Sequence, residues 1–361
     1  MTLEDFLDEW NNDSERVLVH TSGSTGTPKP LWVEKRRMEA SARITCDFLG
    51  LKEGDTALLC MPLDYIAGKM MVVRSLVRKL KLMVVEPTGH PLSNTTPHQL
   101  PRGGEQAPEQ TSSPSGEVGR GVTFAAMVPM QVYNSLQVPE ERERLRQIRH
   151  LIIGGGAIDD ALARELKDFP NYVWSTYGMT ETLSHIALRR LNGAEASEWY
   201  TPFDNVRISQ NEDGCLVIDA PEACAERLVT NDIVEICQGR FRVVGRKDNV
   251  ICSGGVKIQA EEVERALKPH LHVPFMITKR KDEKFGEIVV MMVEDRGERR
   301  EDSLITRLQR LCREHLPKYW QPRDFVFVKE LPMTETGKPA RKKAEELLKE
   351  SVEFRVESVE L

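Results

Sequence analysis

Short apolar runs alternate with longer amphipathic stretches through the first two thirds of this chain, and that alternation restricts the possible folds more than any other feature. The runs are VLVHT (17–21), ALLCM (57–61), KLMVVE (81–86), VTFAAMV (122–128) and HLIIGG (150–155), separated by helix-like stretches such as Val33 to Leu49 and Asp159 to Phe169. A strand buried on both faces reads as an unbroken apolar run, and its parallel neighbour is reached through a helix. The expectation is an α/β fold whose large N-terminal domain has mostly parallel sheets and helices.

The text changes twice further on. From about Ile208 to Val244 it breaks into short strands and turns, as in EDGCLVID and GRFRVVG, which reads as a small β-rich region. After Gly245, QAEEVERALKPH reads as a helix, PFMITK and EIVVMMVE as strands, and the stretch near Ser303 to His315 as a charged helix before a basic tail. That reads as a separate small α+β C-terminal domain. A chain of 361 residues suits one large and one small domain. The boundary falls at GRKDN (245–249), giving domains over 1–246 and 247–361. Between Pro91 and Gly121, Pro, Gly, Ser, Thr and Gln crowd out apolar residues. Such a segment cannot bury enough surface to order itself and reads as a long surface loop, or else as a linear motif for a partner.

Composition removes several classes of function. Fifty Lys and Arg against 56 Asp and Glu leave a net charge of −6, with no basic footprint for nucleic acid. Nothing approaches the roughly 18 apolar residues of a membrane helix, and the acidic start MTLEDFLDEW is unlike a secretion signal. The expected setting is cytoplasmic, without nucleic-acid or membrane partners. Seven cysteines (Cys46, Cys60, Cys215, Cys224, Cys237, Cys252 and Cys312) are odd in number and lack C-x-x-C pairs, so they read as reduced thiols packed in the core.

One short stretch carries chemistry. HTSGSTGTPKP (20–30) follows a strand-like run and gathers Thr21, Ser22, Gly23, Ser24, Thr25, Gly26 and Thr27 beside Lys29. Glycines let backbone approach a ligand, hydroxyls and N–H groups line the concavity with donors, and the lysine supplies a point charge for phosphate. The spacing is not that of the nucleotide loop G-x-x-x-x-G-K-[ST].

TSGSTGTPK resembles the phosphate-binding signature of the acyl-adenylate-forming superfamily, which includes acyl-CoA synthetases, luciferases and nonribosomal adenylation domains. Four more blocks occur in that superfamily's order: GGGA (154–157), STYGMTET (175–182), TND (230–232) with GRKD (245–248), and TETGKPARK (334–342). The resemblance implies ATP and Mg²⁺ as cofactors and coenzyme A as co-substrate. It implies that Gly155, Gly156 and Ala157 floor the adenine, that Tyr177 stacks on its other face, and that Gly178 belongs to the same cofactor site. Thr180 would bond phosphate, Glu181 would hold Mg²⁺, and Asp232 with Arg246 would take the ribose. Lys338 would neutralise charge growing on the α-phosphate and the attacking carboxylate. Asp248 falls at the superfamily's hinge, which implies that the small α+β C-terminal domain is mobile and adopts two orientations, and Gly254 and Gly255 would let a pantetheine arm pass close to backbone.

The acid is read from what remains. Arg74 sits in MMVVRSL, and a guanidinium among apolar neighbours needs an anionic partner unless it faces solvent, as Arg78 one turn on would suggest. IAGKMMVVR, GRKDNVICSGG and IQAEEVE together resemble the 2-succinylbenzoate–CoA ligases of menaquinone biosynthesis, whose acid carries two carboxylates. Ser184, His185 and part of AAMVPMQ (125–131) would then line the acyl pocket. Two departures stand out. Tyr65 occupies a position that is histidine in most relatives, and only 20 residues precede the phosphate loop where most relatives carry a further subdomain. The expectation is a shortened working enzyme, its exposed surface covered by a homodimer partner. The alternatives are a CoA ligase for another aromatic or dicarboxylic acid, and a nucleotide-binding protein of this fold without turnover.

Overall fold

A computed structural model describes residues 1–20, 30–93, 98–99, 121–156, 158, 160–294, 301–334 and 339–357. The chain divides into two compact units. One comprises Met1–Ser209 with Ile218–Leu228 and Cys237–Arg242; the other comprises Gln210–Val217, Val229–Ile236 and Val243–Leu361.

The first elements are α1 (Leu3–Asn11), β1 (Arg16–His20), β2 (Pro30–Glu34), α2 (Lys35–Phe48), β3 (Thr56–Leu59), α3 (Ile66–Arg78), β4 (Lys81–Val84) and β5 (His98–Gln99). They continue with β6 (Phe124–Met127), α4 (Pro129–Gln137), α5 (Pro139–Gln147), β7 (His150–Ile153), α6 (Asp160–Leu166), β8 (Tyr172–Gly178), β9 (His185–Arg190) and β10 (Thr201–Pro202). Eight strands form one sheet in the order β10-β9-β8-β7-β6-β3-β4-β5. The expected parallel pairing holds through its centre, from β4 across β3, β6 and β7 to β8, and the edges turn antiparallel.

The continuous apolar runs are explained by burial on both faces. Ala57, Leu59, Phe124, Ala126 and Ile152 pack with the apolar side chains of α1, α2, α3 and the β1–β2 hairpin. The alternate residues Leu58, Cys60, Ala125, Met127, Leu151 and Ile153 pack with α4, α5 and α6. Successive strand side chains point to opposite faces, so one run fills two cores.

The later elements are β11 (Arg207–Gln210), β12 (Cys215–Asp219), β13 (Leu228–Cys237), β14 (Arg240–Arg246), β15 (Val250–Ser253), β16 (Val256–Gln259), α7 (Ala260–Leu267), β17 (Phe275–Asp282), β18 (Gly286–Glu294), α8 (Glu301–His315), β19 (Asp324–Val328) and α9 (Arg341–Glu357). Strands β11 to β14 pair in chain order, which matches the β-rich region expected there. The last sheet runs β16-β15-β18-β17 with β19 parallel to β18. One of its faces buries Ile277, Val289 and Met291 with Val263 and Leu267 of α7 and Leu308 and Cys312 of α8. On the other face lie Met276, Met292 and Val290 with Ala344 and Leu348 of α9.

Several readings need correction. Val33 and Glu34 belong to β2, paired antiparallel with β1, and the helix begins at Lys35. A half-buried strand leading directly into a helix leaves no composition break to read. In the segment taken as a structureless loop, His98–Gln99 pairs antiparallel with β4, while residues 94–97 and 100–120 lie outside the described residues. The charged helix α5 also has a buried side: Glu141 and Arg144 are buried, Glu141 accepting from Ser135 and Arg144 donating to the Leu92 carbonyl. The cysteines are all free, but Cys237 and Cys252 are exposed rather than packed in a core. No helix among the described residues is long and apolar enough to cross a membrane.

Candidate active site

Thr21, Ser22, Gly23, Ser24, Thr25, Gly26 and Lys29, together with Ala157 and Lys338, lie outside the described residues, and the frame around them is what the structure gives. His20 and Pro30 face each other across the β1–β2 hairpin, so the two ends of the phosphate-loop sequence lie side by side. Tyr65, half-exposed at the start of α3, bridges to His20. Leu18 pairs opposite Trp32 in a position whose N–H and C=O point away from β2. Those two groups are taken by side chains: Glu9 accepts from the Leu18 N–H at 3.0 Å, and Lys69 donates to its carbonyl at 2.8 Å. Lys69 is buried and pairs with Glu9 at 3.1 Å, its ammonium above the Phe6 ring. The strand that enters the loop is therefore held along both edges.

After β7 the chain enters the three-glycine run. A Cβ on Gly154 would sit 2.4 Å from Thr176 Oγ1, and Gly155 has φ +76°, so no larger residue fits either place. The Tyr177 ring stands edge-on to Phe241 with centroids 4.9 Å apart. Beyond Gly178 the chain makes a tight turn over Thr180–Thr182, capped by Leu183 at φ 65°. A Cβ at Gly178 would lie 2.2 Å from the Ser184 carbonyl oxygen, so this glycine permits the return of the chain into β9. Thr182 Oγ1 accepts from the Met179 N–H and lies 2.7 Å from the Ser184 carbonyl. Thr180 is buried and Glu181 is exposed. Among the described residues no group of three His, Cys, Asp or Glu could hold a metal. Glu181 offers one hard oxygen ligand, which fits a Mg²⁺ whose other ligands are phosphate oxygens and water.

That turn also delivers Ser184 and His185 to Arg74. Arg74 is only 2 % exposed, so the solvated-helix reading is wrong. Its guanidinium donates to Ser184 Oγ at 2.5 Å and to Met71 Sδ at 3.8 Å, and Nε has no hydrogen-bond partner. Burial lowers its pKa to about 10, which still leaves a cation at neutral pH, and no described carboxylate pairs with it. Ser184 Oγ lies 3.2 Å from His185 Nδ1, and His185 Nε2 lies 3.1 Å from Thr45 Oγ1 on α2. Burial, reinforced by Arg74, drives the His185 pKa well below 6.5 and keeps the ring neutral. Arg78 pairs instead with Asp47.

In the second unit Asp232, Arg246 and Asp248 come together. Arg246 reaches Asp232 at 3.2 Å and Asp248 at 3.0 Å, and Asn231 donates to Asp248. The Asp232 N–H donates to Thr230 Oγ1 at 3.1 Å. Asp248 lies in the short turn Lys247–Asn249, which Lys247 ties to Asp213 at 2.6 Å. Gly254 and Gly255 form a turn with φ +57° and +83°, the first donating its N–H to the Phe285 carbonyl. Near Lys338, Met333 bridges to Pro339, and Ala340 N–H bonds the Pro332 carbonyl. Arg341 then pairs with the buried Glu264 at 2.7 Å.

Thr45, Lys69 and Glu9 escaped the sequence reading. Thr45 lies 140 positions from His185, and nothing in RITCDF marks it. Lys69 in IAGKMM offered the same signal as Arg74, a cation among apolar residues, and went unread.

Two family models match this chain: AMP-binding enzyme over residues 5–219, and AMP-binding enzyme C-terminal domain over residues 262–338. A 2-succinylbenzoate–CoA ligase of Bacillus cytotoxicus is 25 % identical over 95 % of this chain and 72 % of its own length. A crystal structure of an acyl-CoA synthetase (AMP-forming)/AMP-acid ligase II-like protein from Dyadobacter fermentans is 33 % identical, covers 94 % of this chain and 91 % of its own, and superposes with a TM-score of 0.60. The O-succinylbenzoate coenzyme A synthetase of Bacillus subtilis, in complex with ATP and magnesium ion, shares the fold at a TM-score of 0.70 and 22 % identity, over 90 % of this chain and 68 % of its own.

Proposed function

The chain belongs to the AMP-binding enzyme family, and from that premise we propose that it joins 2-succinylbenzoate to coenzyme A through an acyl adenylate. It is an AMP-forming acid–CoA ligase that uses ATP, Mg²⁺ and coenzyme A. In the first half-reaction a carboxylate oxygen of the acid bonds to the α-phosphorus of ATP as the bond to the β-phosphate oxygen breaks, and pyrophosphate leaves. In the second, the coenzyme A sulfur bonds to the acyl carbon, its proton goes to solvent, and AMP departs.

The first step sets anion against anion, so the work of the protein is alignment and neutralisation of charge. Lys29 and Lys338 supply positive charge to the phosphates and the attacking carboxylate. Thr180 donates to phosphate, and Glu181 holds the Mg²⁺ that screens it. Asp232, oriented by Arg246, accepts from the ribose hydroxyls. Gly155, Gly156 and Ala157 leave room for the adenine beside Tyr177, and Gly178 carries the chain around the phosphate side. Asp248 is the hinge between domains 1–246 and 247–361, and Gly254 with Gly255 flanks the pantetheine arm. Tyr65 borders the phosphate loop beside His20. The reaction belongs in the cytoplasm, and the quaternary state is a homodimer, which light scattering on the purified protein tests.

The observation that carries the choice of acid is the buried Arg74 guanidinium with no described carboxylate partner and an unsatisfied Nε. Leaving such a cation uncompensated is costly, and the second carboxylate of a dicarboxylic acid would answer it. The same observation favours, as a second reading, any aromatic or dicarboxylic acid with an anionic group at its far end. Incubation with ATP, coenzyme A and a panel of acids, following AMP release, separates the two. Preference for 2-succinylbenzoate supports the first; equal or better use of another diacid removes it; turnover of monocarboxylic acids alone removes both.

A further inference from the structure

The polar groups behind Arg74 form a chain whose direction can be derived. Arginine is a donor only and a backbone carbonyl an acceptor only, so the two ends are fixed. At one end Arg74 donates to Ser184 Oγ at 2.5 Å. At the other, Thr45 Oγ1 donates to the Ser41 carbonyl one turn earlier in α2, at 3.1 Å. Between them stand Ser184 with His185 Nδ1 and His185 Nε2 with Thr45.

With the proton on Nε2, each hydrogen is used once. Ser184 accepts from Arg74 and gives its O–H to Nδ1; the ring gives Nε2–H to Thr45; Thr45 gives its O–H to Ser41. With the proton on Nδ1, Ser184 would face two donors and its own O–H would lose this acceptor, while Thr45 would turn from Ser41 to the ring. A doubly protonated ring would put a second cation beside Arg74 in a buried place. The chain therefore runs one way, from the guanidinium through Ser184 and His185 to helix α2.

We infer that Thr45 is a positioning residue for acid recognition. By holding His185 in its Nε2–H tautomer it turns the Ser184 hydroxyl toward Nδ1 and its lone pair toward Arg74, which aims the guanidinium. His185, with both nitrogens engaged, is a link in this chain and neither a base nor a ligand. The inference rests on the reading of Arg74 as the anchor of the acid's far carboxylate. Without the Thr45 acceptor the ring loses one of the two contacts that select this tautomer, and the Ser184 lone pair is held less firmly toward Arg74.

The test compares Thr45→Val, Thr45→Ser and Arg74→Ala, measuring KM for the acid and for ATP in the pyrophosphate-exchange reaction. The Val variant keeps the shape and loses both hydrogen bonds of the hydroxyl, to His185 and to the Ser41 carbonyl; its acid KM is expected to rise about tenfold with ATP KM within about twofold, and the Ser variant to restore it. An unchanged acid KM in Thr45→Val, or equal rises in both constants, overturns the inference while a raised acid KM in Arg74→Ala keeps the reading of the anchor. An unchanged acid KM in Arg74→Ala removes that reading as well. Nitrogen-15 NMR of the His185 ring in the unaltered protein gives an independent readout that needs no variant to fold: protonation at Nε2 is expected, and protonation at Nδ1 overturns the inference.

Discussion

Single atoms decide much of this site. Adding one methyl at Gly178 would bring it 2.2 Å from the Ser184 carbonyl, a distance only backbone movement relieves. Gly178→Ala is therefore expected to cost about 2 kcal/mol or more in chemical denaturation and to raise the acid KM, because Ser184 and Arg74 are displaced together. His185 makes a pH prediction. Its folded-state pKa is depressed below 6.5, so at lower pH the unfolded chain takes up a proton that the folded chain does not. Its contribution to stability is whole above 6.5 and declines as the pH falls, by up to about 1.4 kcal/mol per unit. Urea unfolding at a series of pH values should show this slope and show it reduced in His185→Gln; identical slopes in the two proteins would refute it. Arg74 was legible in the sequence because a cation among Met and Val has few places to go. Thr45 was not, since its importance comes from where α2 passes β9, which no local pattern encodes.

Among elements, the β1–β2 hairpin shows how a strand outside the main sheet is kept in place. Lys69 and Glu9 together serve both main-chain groups of Leu18 and neutralise each other. Lys69→Met would leave that carbonyl unpaired and Glu9 without its cation, at an expected cost of about 3 kcal/mol in a denaturant titration. Since β1 leads into the loop proposed to hold the phosphates, the ATP KM should rise as well, and an ATP KM that stays put would show that the clamp does not act on that loop. The central strands could be read from sequence because burial on both faces leaves unbroken apolar runs. Strand β2 could not, because its Trp32 faces solvent and its last residues adjoin a helix of similar composition. The buried face of α5 was hidden by its charges: Glu141 and Arg144 look like a solvated run until their partners, Ser135 and the Leu92 carbonyl, are seen beside them.

At the scale of the whole molecule, five short motifs in order pointed to the family because their spacing follows a reaction rather than a core. The β-rich region and the later α+β elements were legible too, their strands being marked by turns and glycines. With Glu181 proposed as the protein's carboxylate ligand and phosphate oxygens as the others, Mg²⁺ should bind only together with nucleotide. Thermal unfolding is expected to show no shift with Mg²⁺ alone and a clear rise with Mg²⁺ and a non-hydrolysable ATP analogue; a shift of similar size with the metal alone would point to a separate cation site. Chelation should likewise stop adenylation while sparing transfer from preformed adenylate to coenzyme A. The Leu18 clamp also bears on the free edge of the hairpin. A two-stranded ribbon normally leaves a row of unsatisfied amides and carbonyls that invites strand addition and aggregation. Two charged side chains occupy that row at its middle, where an added strand would have to pair.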